Sequence, residues 1–106
     1  MFNLKTGKVD GAGDLWRTDE WIHMNHSNGM LSIFMPEKEL KSFLEFLAHI
    51  PLHKYGCKKK SRNYTYESTV PDQGNVNIHI SDKTLVVIGI NMQFIPAFMK
   101  YLAEAE

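Results

Sequence analysis

The chain has 106 residues, 43% hydrophobic and 11% aromatic, with twelve basic and twelve acidic side chains and no formal net charge. These figures imply one globular domain with a core large enough to stand without staples, and they exclude a general electrostatic attraction to nucleic acid or membrane. The single cysteine, Cys57, excludes an internal disulfide and favours a reducing, cytoplasmic setting. No apolar run approaches the ~18 residues that a membrane-crossing helix needs. The opening stretch, MFNLKTGKVDGAGD, lacks the apolar centre of a signal peptide.

In chain order, Phe2–Val9 reads as a leading strand joined through DGAGD to a hairpin. Ile22 and Met24, then Leu31, Ile33 and Met35, alternate with Trp21, His23, Asn25, Ser32 and Phe34, which is strand period. Between the two runs stands Asn28-Gly29, a dipeptide suited to the positive φ angles of a type I′ turn. A two-residue turn there sets Met24 opposite Ile33 and Ile22 opposite Met35. Pro36 and the acids after it mark a helix start. Leu40, Phe43, Leu44, Leu47 and Ile50 recur at helical spacing, with Glu37, Glu39 and Glu45 on the solvated side. Pro51 ends the helix and pushes Ile50 out of the helical region.

The same grammar returns later. Asn63–Val70 reads as a strand, followed by the turn Pro71-Asp72-Gln73-Gly74. Val76, Ile78 and Ile80, then Leu85 and Val87, alternate across a turn at Asp82-Lys83. Asn91 is an N-cap for a second helix, striped by Phe94, Ile95, Phe98, Met99 and Leu102. Pro96 distorts its first turn. The expected fold is therefore α+β and two-layered. An antiparallel sheet of about six strands carries two helices on one face, as a tandem βββα pseudo-repeat (ββα at minimum) within the single domain 1–106. The first unit spans 1–52 and the second 53–106, with a basic connecting loop at 54–62.

On this reading the sheet face opposite the helices carries Trp21, His23, Ser32 and Phe34 from one hairpin, and His79, Val86 and Ile88 from the other. Tyr66 joins them if the turn at Gly74 has four residues; a one-residue change would reverse Tyr64 and Tyr66. Such a face is too apolar for plain solvent contact. A partner would cover it, or Leu15 and Trp16 folding over it, or a second copy in an isologous homodimer.

Residues 53–67, HKYGCKKKSRNYTYE, hold Lys54, Lys58, Lys59, Lys60 and Arg62 with no acid before Glu67, and outside 53–66 the chain has seven bases against twelve acids. Tyr55, Tyr64 and Tyr66 are interleaved, and lysines with aromatics are the usual parts of single-strand binding. The bland reading is a solvated connection. His49, His53 and Cys57 have a spacing that suggests a metal, but Pro51 interrupts it, so no metal or cofactor is expected. Cys57 reads as an exposed thiol with no assembled catalytic partners, and no motif of a known enzyme class occurs.

The two hairpin–helix units, 21–50 and 75–103, give a layout that resembles PUR-type and Whirly-type single-strand nucleic-acid-binding repeats. Those repeats carry four strands before the helix where this sequence marks three at most, and no residue role is carried over. Three functions follow from the sequence. The first is a small non-enzymatic protein-binding module, an inhibitor or adaptor of the kind phages and mobile elements encode, using Trp21, His23, Phe34, His79, Val86 and Ile88. The second is a single-stranded DNA or RNA binder using Lys54, Lys58, Lys59, Lys60, Arg62, Tyr64 and Tyr66. The third is a small-ligand binder.

Overall fold

The computed structural model describes residues 1–11, 13–26 and 29–104. Strands β1 (Phe2–Asn3), β2 (Lys8–Val9), β3 (Leu15–Thr18), β4 (Trp21–His26) and β5 (Gly29–Phe34) precede helix α1 (Glu37–His49). Strands β6 (Lys58–Lys60), β7 (Thr65–Ser68), β8 (Asn75–Ser81) and β9 (Leu85–Asn91) precede helix α2 (Ile95–Glu104). The protein is α+β and antiparallel, but the expected six-stranded sheet is two sheets. One has the order β2-β1-β3-β4-β5 and the other β6-β7-β8-β9. Their apolar sides feed one core that both helices share, including Ile22, Ile33, Phe43, Ile78, Ile88 and Phe98.

More strands form than the sequence suggests. Phe2–Val9 is a hairpin rather than one strand, and its turn places Gly7 at φ +69 under the Phe94 ring. A Cβ there would overlap the ring, so glycine is required on two grounds. Leu15–Thr18 does not fold over the sheet but joins it, paired with β4 through a tight turn in which Asp19 takes φ +43. Asp tolerates that conformation better than most residues. Lys58–Lys60, expected as loop, is an edge strand paired to β7.

Register departs from expectation at three turns. In the first hairpin His26 pairs with Gly29, Met24 with Leu31 and Ile22 with Ile33. The turn is shifted from Asn28-Gly29, and Asn28 itself lies outside the described residues. The shift amounts to two residues in pairing, so the apolar set keeps its face. In the last hairpin Ser81 pairs with Leu85, leaving a three-residue loop. Asp82 Oδ1 accepts from the Thr84 backbone N–H at 2.9 Å, a local side-chain turn that adds the extra residue. One residue reverses every side chain of β9. Between β7 and β8, Gln73 (φ +53) and Gly74 (φ +82) form a tight turn closed by Asp72 and Asn75. One extra residue on the β7 side, at Val70-Pro71, then sets Tyr66 opposite Ile80.

Helix ends follow their sequence signals in part. Pro36 occupies the N-cap position without a side-chain bond. Ile50 stays helical (φ −54, ψ −48), because the chain tightens into a 3₁₀ turn, Ile50–Leu52, rather than leaving the helix. Asn91 does cap, accepting from Gln93 N at 3.1 Å, but it caps the 3₁₀ turn that leads into α2 rather than α2 itself. The distortion before Pro96 is a 3₁₀ turn, Met92–Phe94.

The helices are exchanged between the sheets. Rings of α1 meet Tyr66 of β7, with Phe43 at 5.1 Å and Phe46 at 5.5 Å. Rings of α2 meet Phe2 of β1, with Phe98 at 5.4 Å and Tyr101 at 5.7 Å. Arg17 of β3 donates to the Leu102 carbonyl at 2.8 Å, a cation at a helix C-terminus. An edge-on Phe43–Phe98 contact joins the helices.

Candidate functional site

The outward side of β3, β4 and β5 is built by strand alternation. Cross-strand partners share a face, so Trp16, His23 and Ser32 form one row and Thr18, Trp21 and Phe34 the next. Trp21 and Phe34 meet edge to face at 5.1 Å and remain 43% and 40% exposed. Met30, paired with Asn25 on the far side of the His23–Ser32 row, is 59% exposed. The His23 ring stacks on Trp16 at 5.3 Å and is held by two hydroxyls: Thr18 Oγ1 at 2.7 Å from Nε2 and Ser32 Oγ at 2.8 Å from Nδ1. Both ring nitrogens are engaged, so the imidazole is fixed in orientation, as a platform needs. Neither lysine nor arginine lies on this part of the face.

The partner residues expected from the second hairpin are elsewhere. Val86 and Ile88 are 7% and 2% exposed and belong to the core, because the three-residue loop reversed their strand. Leu85 and Val87 are outward instead. His79 is outward and half-buried, opposite Glu67 and Val87, but in the other sheet from His23.

The basic segment is dispersed. Lys58 and Lys60 are exposed on the outward side of β6, with Lys58 3.9 Å from Glu67. Lys59 points the other way and meets Glu45 of α1 at 2.6 Å, which lowers the Glu45 carboxyl below its ordinary value. Lys54, Tyr55 and Arg62 are exposed. Tyr64 donates its hydroxyl to the Phe34 carbonyl at 2.6 Å, tying the sheets together. Tyr66 is fully buried.

Its partner, Glu39, is the residue the sequence reading placed on the solvated side and the fold buries, at 3% exposure. Oε1 accepts from the Tyr66 hydroxyl at 2.6 Å and from the Ser61 hydroxyl, and Oε2 lies 3.4 Å from Asn63 Nδ2. Burial first, and the Glu39 carboxylate second, raise the Tyr66 hydroxyl far above an ordinary tyrosine. The cluster backs a cavity of about 550 Å³ whose lining includes Lys38 and Arg62.

Cys57 is half-buried, not exposed; the Ser68 hydroxyl donates to its Sγ at 3.4 Å. His49, His53 and Cys57 do share one groove, with the two imidazoles 6.1 Å apart. Among the described residues no three His, Cys, Asp or Glu side chains are arranged to hold a metal ion, and no helix is long and apolar enough to cross a membrane.

These features define an α+β protein with two antiparallel sheets and an aromatic outer face. No family model, curated protein or solved structure matches the chain.

Proposed function

We propose that the chain is a small protein-binding module, an adaptor or inhibitor, whose contact surface is the outward face of β3–β5. The observation that carries the reading is the exposed Trp21–Phe34 pair on a part of the sheet free of lysine and arginine. Tryptophan and other aromatics are the side chains that most often dominate binding energy when a partner desolvates them. The fixed Trp16–His23 stack beside the pair limits the entropy lost on docking. A cytoplasmic setting, and an origin of the two sheet–helix halves in a tandem pseudo-repeat, belong to the same proposal.

The test compares wild type with Trp21→Ala and Phe34→Ala as bait. Proteins held by wild type should be lost from both variants, and the isolated pair should weaken by about 2 kcal/mol or more. Partners retained equally by all three baits would sink the proposal. A parallel titration with short single-stranded DNA and RNA, read by tryptophan fluorescence at ~50 and ~200 mM salt, addresses the second reading. That reading is less supported, because Tyr66 is buried, Lys59 is paired with Glu45 and the Trp21–Phe34 pair lies outside the basic segment, which keeps Tyr55 as its exposed ring. Quenching lost at high salt would restore it.

A further inference from the structure

Each sheet ends in two edge strands, and the four edges differ in kind. β2 has two residues, one of them Lys8. β6 is three lysines. Short length and lysine both discourage edge-to-edge pairing. β5 is longer and uncharged, but the Phe34 carbonyl on its free side is taken by the Tyr64 hydroxyl. β9 is Leu-Val-Val-Ile-Gly-Ile-Asn, seven residues with no charge and no proline. Among the described residues no strand pairs with its outer side.

The hydrogen-bond phase of β9 follows from its two ends. Met92 N donates to Gly74 O at 2.7 Å and Asp82 N donates to Thr84 O at 3.1 Å. In an antiparallel ladder the bonded pairs alternate. The pairs Ile90–Val76, Ile88–Ile78 and Val86–Ile80 therefore bond to β8. The peptide groups of Leu85, Val87 and Gly89 point away from the sheet, and all three residues are exposed.

Gly89 adds an independent observation. Its φ lies outside the left-handed region, and a Cβ built on it would meet only the terminal oxygen of Asn77, at 3.2 Å. Glycine weakens a strand interior, and the tight contact that a Cβ would make within the chain is with the end of the exposed Asn77 side chain, which has solvent to turn into. A second copy does supply a reason. With a two-fold axis at Val87, an antiparallel β9–β9 pair sets Val87 opposite Val87 of the second copy and Leu85 opposite Gly89. The bare glycine leaves room for the leucine, which is 62% exposed in the single chain.

We infer that the free edge of β9 is the site at which a second copy of this chain adds, joining two four-stranded sheets into one through up to about six backbone hydrogen bonds. The interface is isologous and closes as a dimer. The open-ended alternative, β9 onto β6 of the next copy, would bring an apolar strand against three lysines. The pairing runs through the β9 backbone and the side chains of Leu85, Val87 and Gly89; Trp21 and Phe34 come near β9 at the cleft they line with Thr84 and Val86, and supply no strand to the pair.

The test is the mass in solution of the full chain, by sedimentation equilibrium from about 1 to about 100 μM protein, a range that separates weak from stable association. Wild type should reach twice 12.2 kDa. Val87→Lys, on the outward side, should weaken association at least about tenfold. Gly89→Val, which fills the space opposite Leu85, should do the same while keeping or raising the melting temperature, so a folding defect cannot imitate the result. Trp21→Ala should leave the dimer intact. Wild type at 12.2 kDa throughout overturns the inference. So does a dimer that survives both β9 variants or is lost with Trp21→Ala.

Discussion

Glu39 precedes Phe43 by four residues and follows Pro36 by three, so helical spacing carries it onto the buried stripe of α1. The acid is tolerated there because two hydroxyls converge on one oxygen. Tyr66→Phe removes one donor without changing the packing of the ring. The expected loss is about 1.5–3 kcal/mol in urea unfolding at pH 7, the range for a hydrogen bond to a charged group. The same pair sets an alkaline limit. Burial holds the folded Tyr66 hydroxyl protonated, whereas an unfolded tyrosine ionises near pH ~10. Above that pH the unfolded state binds fewer protons, so stability falls as pH rises. Tyr64 and Tyr101 are raised too, chiefly by burial. The Tyr66→Phe variant should therefore show a shallower alkaline loss than wild type, measured as unfolding free energy from pH 8 to 11. By contrast Lys59→Ala, at a half-exposed ion pair, should change stability by no more than about 1 kcal/mol.

At the scale of elements, alternation and helical spacing identify where β4, β5, β8, β9 and both helices lie, because burial of one face imposes its period on the sequence. Turn lengths are harder to read. The Asp82 side-chain turn and the extra residue at Val70-Pro71 each change pairing by one, and each reverses a set of side chains. That is why Val86 and Ile88 were expected outside and Leu85 and Val87 inside. Nothing in the apolar pattern distinguishes the choices, since Leu85-Val86-Val87-Ile88 is apolar on both sides. The exposed aromatic rows were legible, because Trp21, His23 and Phe34 alternate with unambiguous core residues; Trp16 was not, because a four-residue strand gives too short a pattern. The exchanged helices give a direct prediction. Phe43 touches Tyr66 of one sheet and Phe98 of the other helix. Phe43→Ala should cost about 3–5 kcal/mol in denaturant unfolding, as for other buried aromatic truncations.

For the whole molecule, each helix follows one sheet and lays its rings on the other. Residues 1–52 and 53–106 therefore each lack the cover their apolar strands need. Expressed separately, each should give the circular dichroism of an unfolded chain, and the intact protein should unfold in one cooperative transition followed by both tryptophan fluorescence and far-ultraviolet signal. Two separable transitions would show that the exchange contributes less than the packing within each half.

The sequence by itself determined the class of the fold, the helix stripes, the Asn91 cap and the aromatic row on β4 and β5. These depend on local periodicity and on side-chain to backbone chemistry within a few residues. Tertiary structure alone decided that one sheet becomes two, that the Tyr66 and Ser61 hydroxyls meet Glu39 and that β9 presents Leu85, Val87 and Gly89 to solvent. Those outcomes depend on which distant surfaces meet and on single-residue differences in loops, and hydrophobic alternation does not register either one.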